Sequence, residues 1–314
     1  TLTATGDVWA GSGTFTYGTS TLNMTGTSKK INYTGDLSLY NLTIATGGDS
    51  NAITMNEING NNSGLLIYGT IEQQSGKLAS TTSEYIQIGR TFGDVKVASG
   101  KGAIAFVDVD RWYIFQNSTS GTKNFPHADS ADKNLTINDM FITSSSTIEV
   151  LSQGNLTFTT RLRVDGGNTF NANGNTIAAK LVDVNSGTLD LRNSTLNFSL
   201  TTSGDELNLI VGSTLLTGNT TLAGNASSDT TLIMPSAGTF EVVGNVSNFY
   251  LYDGGDLTVI GSVESCTFDG TTTNIRQWHH TLDTQQLLDA DEAGDDDLRL
   301  TKPALDNALE LMTK

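Results

Sequence analysis

The chain has 314 residues, of which 33 are glycine and only 3 are proline. Its hydrophobic content of 37% is low for a globular domain, so a thick two-layer core would be short of apolar side chains. The net charge of −16 argues against binding to nucleic acid or to anionic membranes, because both need clustered Lys and Arg.

Short alternating segments in the first part of the chain predict β-strands. In TLNMTG, Leu22 and Met24 share one face. The stretch GDLSLYNLTIATGG, residues 35–48, holds two apolar pieces separated by Tyr40 and Asn41. We expect this Tyr-Asn step to form a corner between two strands, with Asn41 in the left-handed conformation that asparagine tolerates.

Residues 103–134 interrupt this pattern with aromatic residues, a proline and several charges. They are interpreted as an irregular insertion that begins as a strand and ends as a long loop. Insertions of this kind commonly project from one face of a repetitive fold, where binding occurs. The loop 118–133 is therefore expected to present binding groups.

The sequence FVDVDRWYIF within this region would place Asp108, Asp110 and Trp112 on one strand face. Two carboxylates beside an aromatic ring are what a glycosidase uses, one to donate a proton and one to attack or to activate water. Sugar binding without catalysis needs the same groups, and a solvated strand face has the same pattern and is the commoner case. The candidate catalytic residues are Asp108 and Asp110, and the candidate ligand-binding residues are Asp110, Trp112, Tyr113 and His127.

A recurring unit follows, beginning near Asn134, Asn155, Asn175 and Asn193. A period near 20 residues with two or more strands per period predicts the stacked coils of a parallel β-helix, a β-solenoid. Within it, Leu156 and Phe158, then Leu162 and Val164, point one way, with residues 159–161 bending the register. Asn and Thr at equivalent turns could form ladders between coils. β-Sandwich domains remain the alternative fold.

From Arg276 the strand pattern stops, and residues 276–314 are expected to form an acidic loop followed by a short amphipathic helix for docking or assembly. Part of this tail resembles the calcium loop of EF-hand or dockerin domains. Two departures, Ala293 and Leu300 at ligand positions, keep a plain acidic linker as the alternative. The candidate calcium ligands are Asp289, Asp291, Asp295 and Asp297.

Residues 1–275 are thus predicted to form an all-β shaft. The opening GTFTYGTSTLNMTG, with YNLTI, resembles the Gly/Thr/Asn-rich strand repeats of surface adhesins and of tailed-virus fibre and spike proteins. The resemblance implies a parallel β-helix, often trimeric, exposed on a virion or outside a cell, contacting other structural proteins and host glycans.

The leading expectation is a non-enzymatic structural or attachment protein with calcium as the one cofactor considered. Membrane insertion is not expected, because no segment approaches the ~18 apolar residues of a span. The alternatives are a polysaccharide lyase or glycosidase on the same fold, and a self-assembling surface-layer or filament subunit.

Overall fold

The computed structural model describes residues 1–11, 18–60, 63–81, 84–88, 94–106, 108–114 and 120–197, and beyond these the strands that lie between residues 206 and 279. Every regular element among the described residues is a β-strand. The strands are short, most of them three to six residues long.

The strands in chain order are β1 (Leu2–Ala4), β2 (Val8–Ala10), β3 (Thr21–Met24), β4 (Lys29–Tyr33), β5 (Leu37–Leu39), β6 (Asn41–Ala45), β7 (Ala52–Glu57), β8 (Gly64–Ile67), β9 (Thr70–Ser75), β10 (Lys77–Ser80), β11 (Tyr85–Ile88), β12 (Asp94–Val97), β13 (Arg111–Ile114), β14 (Gly121–Phe125), β15 (Leu135–Ile142), β16 (Ile148–Ser152), β17 (Leu156–Asp165), β18 (Thr169–Asn171), β19 (Thr176–Asn185), β20 (Thr188–Asp190), β21 (Thr195–Asn197), β22 (Glu206–Ile210), β23 (Thr214–Leu216), β24 (Thr221–Ala223), β25 (Thr231–Ile233), β26 (Thr239–Val243), β27 (Phe249–Tyr252), β28 (Asp256–Ile260), β29 (Cys266–Asp269) and β30 (Asn274–His279).

The chain winds as a parallel β-solenoid of about eight turns. Early turns contribute one strand each to a first sheet (β1, β3, β6, β9, β12), a second sheet (β2, β4, β7, β10) and a long sheet that begins with β5, β8 and β11. The long sheet continues through β13, β15, β17 and β19, while β14, β16, β18, β20 and β23 form a fourth sheet. All pairings between the described strands are parallel, so the β-helix expectation is confirmed and the β-sandwich alternative is wrong.

A continuous apolar core runs along the inside of the turns, because alternate side chains of each strand point inward. Leu22 and Met24 are both buried, as the alternation predicts. In β17 the buried residues on either side of the bend at residues 159–161 include Phe158, whose ring packs edge-to-face on that of Phe170, with 6.3 Å between centroids. The long sheet and the fourth sheet therefore contact each other across the core through large side chains, which gives a thin core the contacts it needs.

Asparagine side chains connect successive turns at one corner of the solenoid. Asn134 Oδ1 accepts the backbone N–H of Asn155 at 2.9 Å, and Asn155 Oδ1 accepts that of Thr176 at 2.9 Å, each step spanning 21 residues. The predicted period and the predicted ladder are confirmed here. At Gly102 and Gly154 the turns approach so closely that a Cβ would lie 1.7 Å and 2.4 Å from a carbonyl oxygen of the neighbouring turn, which only glycine permits.

The Tyr40–Asn41 step is a corner, as expected, since β5 belongs to the long sheet and β6 to the first sheet. The expected conformation of Asn41 is wrong: it is the first residue of β6 and is not among the residues with positive φ. Its amide instead bridges turns, donating to Thr21 Oγ1 at 3.2 Å and accepting the N–H of Thr70 at 2.7 Å.

The region 103–134 is less irregular than expected. Residues 111–114 form β13, which pairs with β11 and β15 in the long sheet, and residues 121–125 form β14, which pairs with β16. The following segment lies along β12, where the N–H of His127 bonds to the carbonyl oxygen of Val95 at 2.8 Å. The expected long loop is therefore largely part of the coil. The strand pattern was expected to stop at Arg276, but residues 276–279 belong to β30. The rest of the predicted acidic and helical module, residues 280–314 with the predicted calcium loop and helix, lies outside the described residues.

Candidate functional site

The predicted strand face containing Asp108, Asp110 and Trp112 does not form. The strand β13 begins at Arg111, after a bend at Asp110, and Asp108 makes only an isolated bridge to Ala79. Consequently Asp108 points to solvent, whereas Trp112 is 0% exposed and packs edge-to-face on Phe106 at 5.0 Å. The indole is a core residue and offers no surface on which a sugar could stack.

Asp108 and Asp110 have separate partners. The Asp108 carboxylate forms an ion pair with the ammonium group of Lys77. The backbone of Asp110 is fixed on both sides, because its N–H donates to Ser80 Oγ at 2.9 Å and its carbonyl accepts from Asn138 Nδ2 at 3.2 Å. Residue Tyr113 lies next along β13, and its side chain is outside the described part of the structure.

His127 follows β14 and lies beside β12 of the first sheet, whereas Asp110 directly precedes β13 of the long sheet. Its Nε2 is 3.7 Å from Asp94 Oδ1, and its Nδ1 accepts the N–H of Asp129 at 3.2 Å. Lys96 Nζ approaches Asp129 at 4.0 Å. The structure thus does not bring His127 together with the other predicted ligand-binding residues.

An unpredicted group of side chains occupies the outer face of the long sheet, the face turned away from the core. Phe141 alternates with Met140 and Ile142 of the core and so points outward from β15. The guanidinium carbons of three arginines lie near its ring. Their distances from the ring centroid are 4.6 Å for Arg161, 5.4 Å for Arg111 and 5.7 Å for Arg163. We call this group the arginine patch: Phe141 with Arg111, Arg161 and Arg163.

The strand register explains why the patch forms. Phe141 pairs with Arg163 in the next turn, and Asp139 pairs with Arg161. Arg111 enters from β13 in the preceding turn, where its neighbour Trp112 pairs with Met140. Residues that are 20 or more positions apart in the sequence are thereby placed on adjacent strands, about 4.8 Å apart.

Carboxylates hold the guanidinium groups in place. Arg161 donates to both oxygens of Asp139, at 3.3 Å and 3.1 Å, and to Asp183 at 3.5 Å. Arg111 Nε lies 3.8 Å from Asp139 Oδ2. Arg163 Nε donates to the two oxygens of Asp165 at 2.8 Å and 3.0 Å. This two-oxygen pairing fixes the orientation of Arg161 and of Arg163.

The acidic and basic groups lie at different depths. The side chains of Asp139, Asp183 and Asp165 are 8%, 13% and 21% exposed. Those of the three arginines are 32%, 23% and 33% exposed, in chain order. The three arginines of the patch and these three aspartates together are close to neutral, yet the more exposed groups are the arginines, which are hydrogen-bond donors.

The pKa values of Asp139 and Arg161 are both raised by this arrangement. Burial raises the pKa of Asp139 above its ordinary value of 3.8, and the nearby charge of Asp110 adds to the rise, although Arg161 and Arg111 oppose it. The hydrogen bond from Arg161 to Asp139 raises the pKa of that guanidinium. Arg161 therefore stays charged throughout the pH range in which the protein would operate.

Sequence reasoning missed the patch because the turns differ in length. The pairing of Trp112 with Met140 spans 28 residues, and that of Met140 with Leu162 spans 22, by subtraction of their numbers. A fixed period therefore does not align Arg111 with Arg161. The available signal was compositional: three of the seven arginines of this acidic chain lie in two strand-like segments, RWYIF and LTFTTRLRV.

Comparisons with family models, with curated proteins and with solved structures give no match for the chain. Within the described residues, His, Cys, Asp and Glu side chains form no group of three that could hold a metal ion. The same part of the chain contains no helix of the length and apolarity needed to cross a bilayer.

Proposed function

We propose that the protein is a non-enzymatic attachment rod, part of a virion tail fibre or spike or of a cell-surface appendage, that contacts cell-surface glycans. The observation that carries this proposal is the stacking of about eight parallel turns on one continuous apolar core. Parallel strand pairing in each sheet joins one turn to the next, so the solenoid is suited to holding surface groups at fixed spacing.

The outward positions of the turns supply those groups. They are mostly Thr, Asn and Asp side chains, which can bond to sugar hydroxyls, and the arginine patch adds a cluster of charged donors. Some of them bond to each other across turns, as where Thr159 Oγ1 donates to Asn138 Oδ1 at 2.8 Å. Side chains held in this way lose little further freedom when a ligand binds, which favours affinity.

The experiment measures binding of the whole chain to immobilised polysaccharides, neutral and acidic, by surface plasmon resonance, with a reducing-end assay on the same polymers. The proposal predicts saturable binding to at least one polymer without release of new reducing ends. Failure to bind any polymer contradicts it. Product release that disappears in Asp110→Asn replaces it with the alternative of a polysaccharide-degrading enzyme.

A further inference from the structure

Arg163 differs from its neighbours in the arginine patch by having donors to spare. Its Nε is engaged by Asp165, but no acceptor for its two terminal nitrogens lies within hydrogen-bonding distance among the described residues. Its side chain is 33% exposed, so these nitrogens face solvent. A planar fork with two unoccupied N–H directions matches the two oxygens of a carboxylate or sulfate.

The surroundings of Arg163 favour an anion over a cation or a neutral group. The guanidinium of Arg161 lies on the same ring of Phe141, and both are more exposed than the carboxylates beneath them. Phe141 is only 9% exposed and serves as the floor that positions the guanidinium groups. A ligand therefore meets charged donors rather than an aromatic platform.

The net charge of the chain limits what the ligand can be. A charge of −16 repels polyanions at long range. At physiological ionic strength this repulsion is screened beyond about 8 Å, so the groups in direct contact decide the interaction. The patch is thus suited to single acidic groups of a saccharide and unsuited to a dense polyanion such as nucleic acid.

We propose that the arginine patch is a subsite for an acidic saccharide, with the terminal nitrogens of Arg163 bonding to its carboxylate or sulfate group. The proposal rests on the proposed function and specifies its ligand class. It assigns Arg161 to a supporting role: held by Asp139 and Asp183, it fixes the ring of Phe141 and adds positive charge beside the ligand.

The test uses titration calorimetry of the full chain with three dextran oligosaccharides of matched length: one carrying a single carboxylate, one carrying a single sulfate ester, and neutral dextran. At least one acidic probe should bind about tenfold more tightly than neutral dextran. Preference for the carboxylated or the sulfated probe identifies the acidic group. Equal binding of all three, or no binding of either acidic probe, overturns the proposal.

Arg163→Gln tests the residue, and Arg192→Gln is its matched control. Arg192 also pairs with an aspartate two residues away, Asp190, but on the fourth sheet, 54% exposed and outside the patch. Arg163→Gln should weaken acidic binding about tenfold, Arg163→Lys by less, and Arg192→Gln by less than about twofold. Equal losses in both glutamine variants contradict the assignment, provided that thermal melts show both to be folded.

Different results contradict the attachment function and the acidic subsite. If neutral polysaccharides bind and acidic ones have no advantage, the attachment function stands and the acidic subsite is lost. If no polysaccharide of any kind binds, the attachment function itself is contradicted.

Discussion

Asp139 shows how a single buried carboxylate can organise a surface without being strongly stabilising. It accepts from Arg161 and faces Arg111, yet burial keeps its pKa above the ordinary value. The loss of water around the carboxylate therefore outweighs the attraction of the two guanidinium groups. Ion pairs of this kind are often retained for the geometry that they impose.

The pH dependence of stability tests this assignment. Because the folded pKa of Asp139 is raised, the folded state binds this proton more tightly than the unfolded state does. Its contribution is fully present below the ordinary value of 3.8 and is lost as pH rises through the folded pKa. We expect the unfolding free energy of the wild type, relative to Asp139→Asn, to fall as pH rises above 3.8 and through the folded pKa of Asp139.

The measurement is urea unfolding of both proteins at a series of pH values, so that carboxylates common to both cancel in the difference. A difference that rises with pH would show that the ion pairs dominate and that the folded pKa is lowered. A constant difference would show that Asp139 does not titrate differently on folding.

At the scale of the turn, asparagine side chains perform a task that backbone pairing cannot. Between strands, the N–H groups at corners lack a ladder partner, and an amide oxygen from the preceding turn supplies one. The side-chain oxygen of Asn134 accepts the N–H of Asn155, and that of Asn155 accepts the N–H of Thr176. The side-chain oxygen of Asn41 accepts the N–H of Thr70 in the same way. The corners of stacked turns are thereby kept in register.

Removing one link should weaken one corner. Asn134→Ala leaves the N–H of Asn155 to water, and we expect a loss of about 1 kcal/mol in unfolding free energy together with faster hydrogen exchange at that amide. Asn134→Asp keeps the accepting oxygen and should retain most of the protection. Unchanged hydrogen exchange at the Asn155 amide in the alanine variant would contradict the stabilising role of this hydrogen bond.

The sequence predicted what depends on local alternation and recurrence. The strands, the near-20-residue period and the bend at residues 159–161 all follow from such patterns, and all are present. The prediction that Asp108 and Trp112 share one strand face was wrong. A bend at Asp110 reverses which side chains point to the core, and no glycine or proline in the sequence marks that bend. The arginine patch depends on which strands become neighbours, and unequal turn lengths hide that from a single sequence.

At the scale of the whole molecule, the solenoid places residues that are far apart in the sequence at regular intervals along its axis. Along the long sheet, positions that pair in register follow one another by one strand per turn. Starting from β5 the successive residues are Ser38, Leu66, Gln87, Tyr113, Phe141, Arg163 and Asp183. A patch on one turn is thus held at a fixed height relative to the other turns of the long sheet, as the proposed attachment function would require.

The most direct test of the parallel stacking is the distance between residues on different strands of the long sheet. Spin labels are placed, in a Cys266→Ser background, at Ser38 with Arg163 and at Ser38 with Asp183, and the distances are measured by pulsed electron resonance. At about 4.8 Å per strand, the stacked turns predict separations of about 24 Å and about 29 Å. Separations that do not increase from the first pair to the second by about one strand spacing would contradict the solenoid.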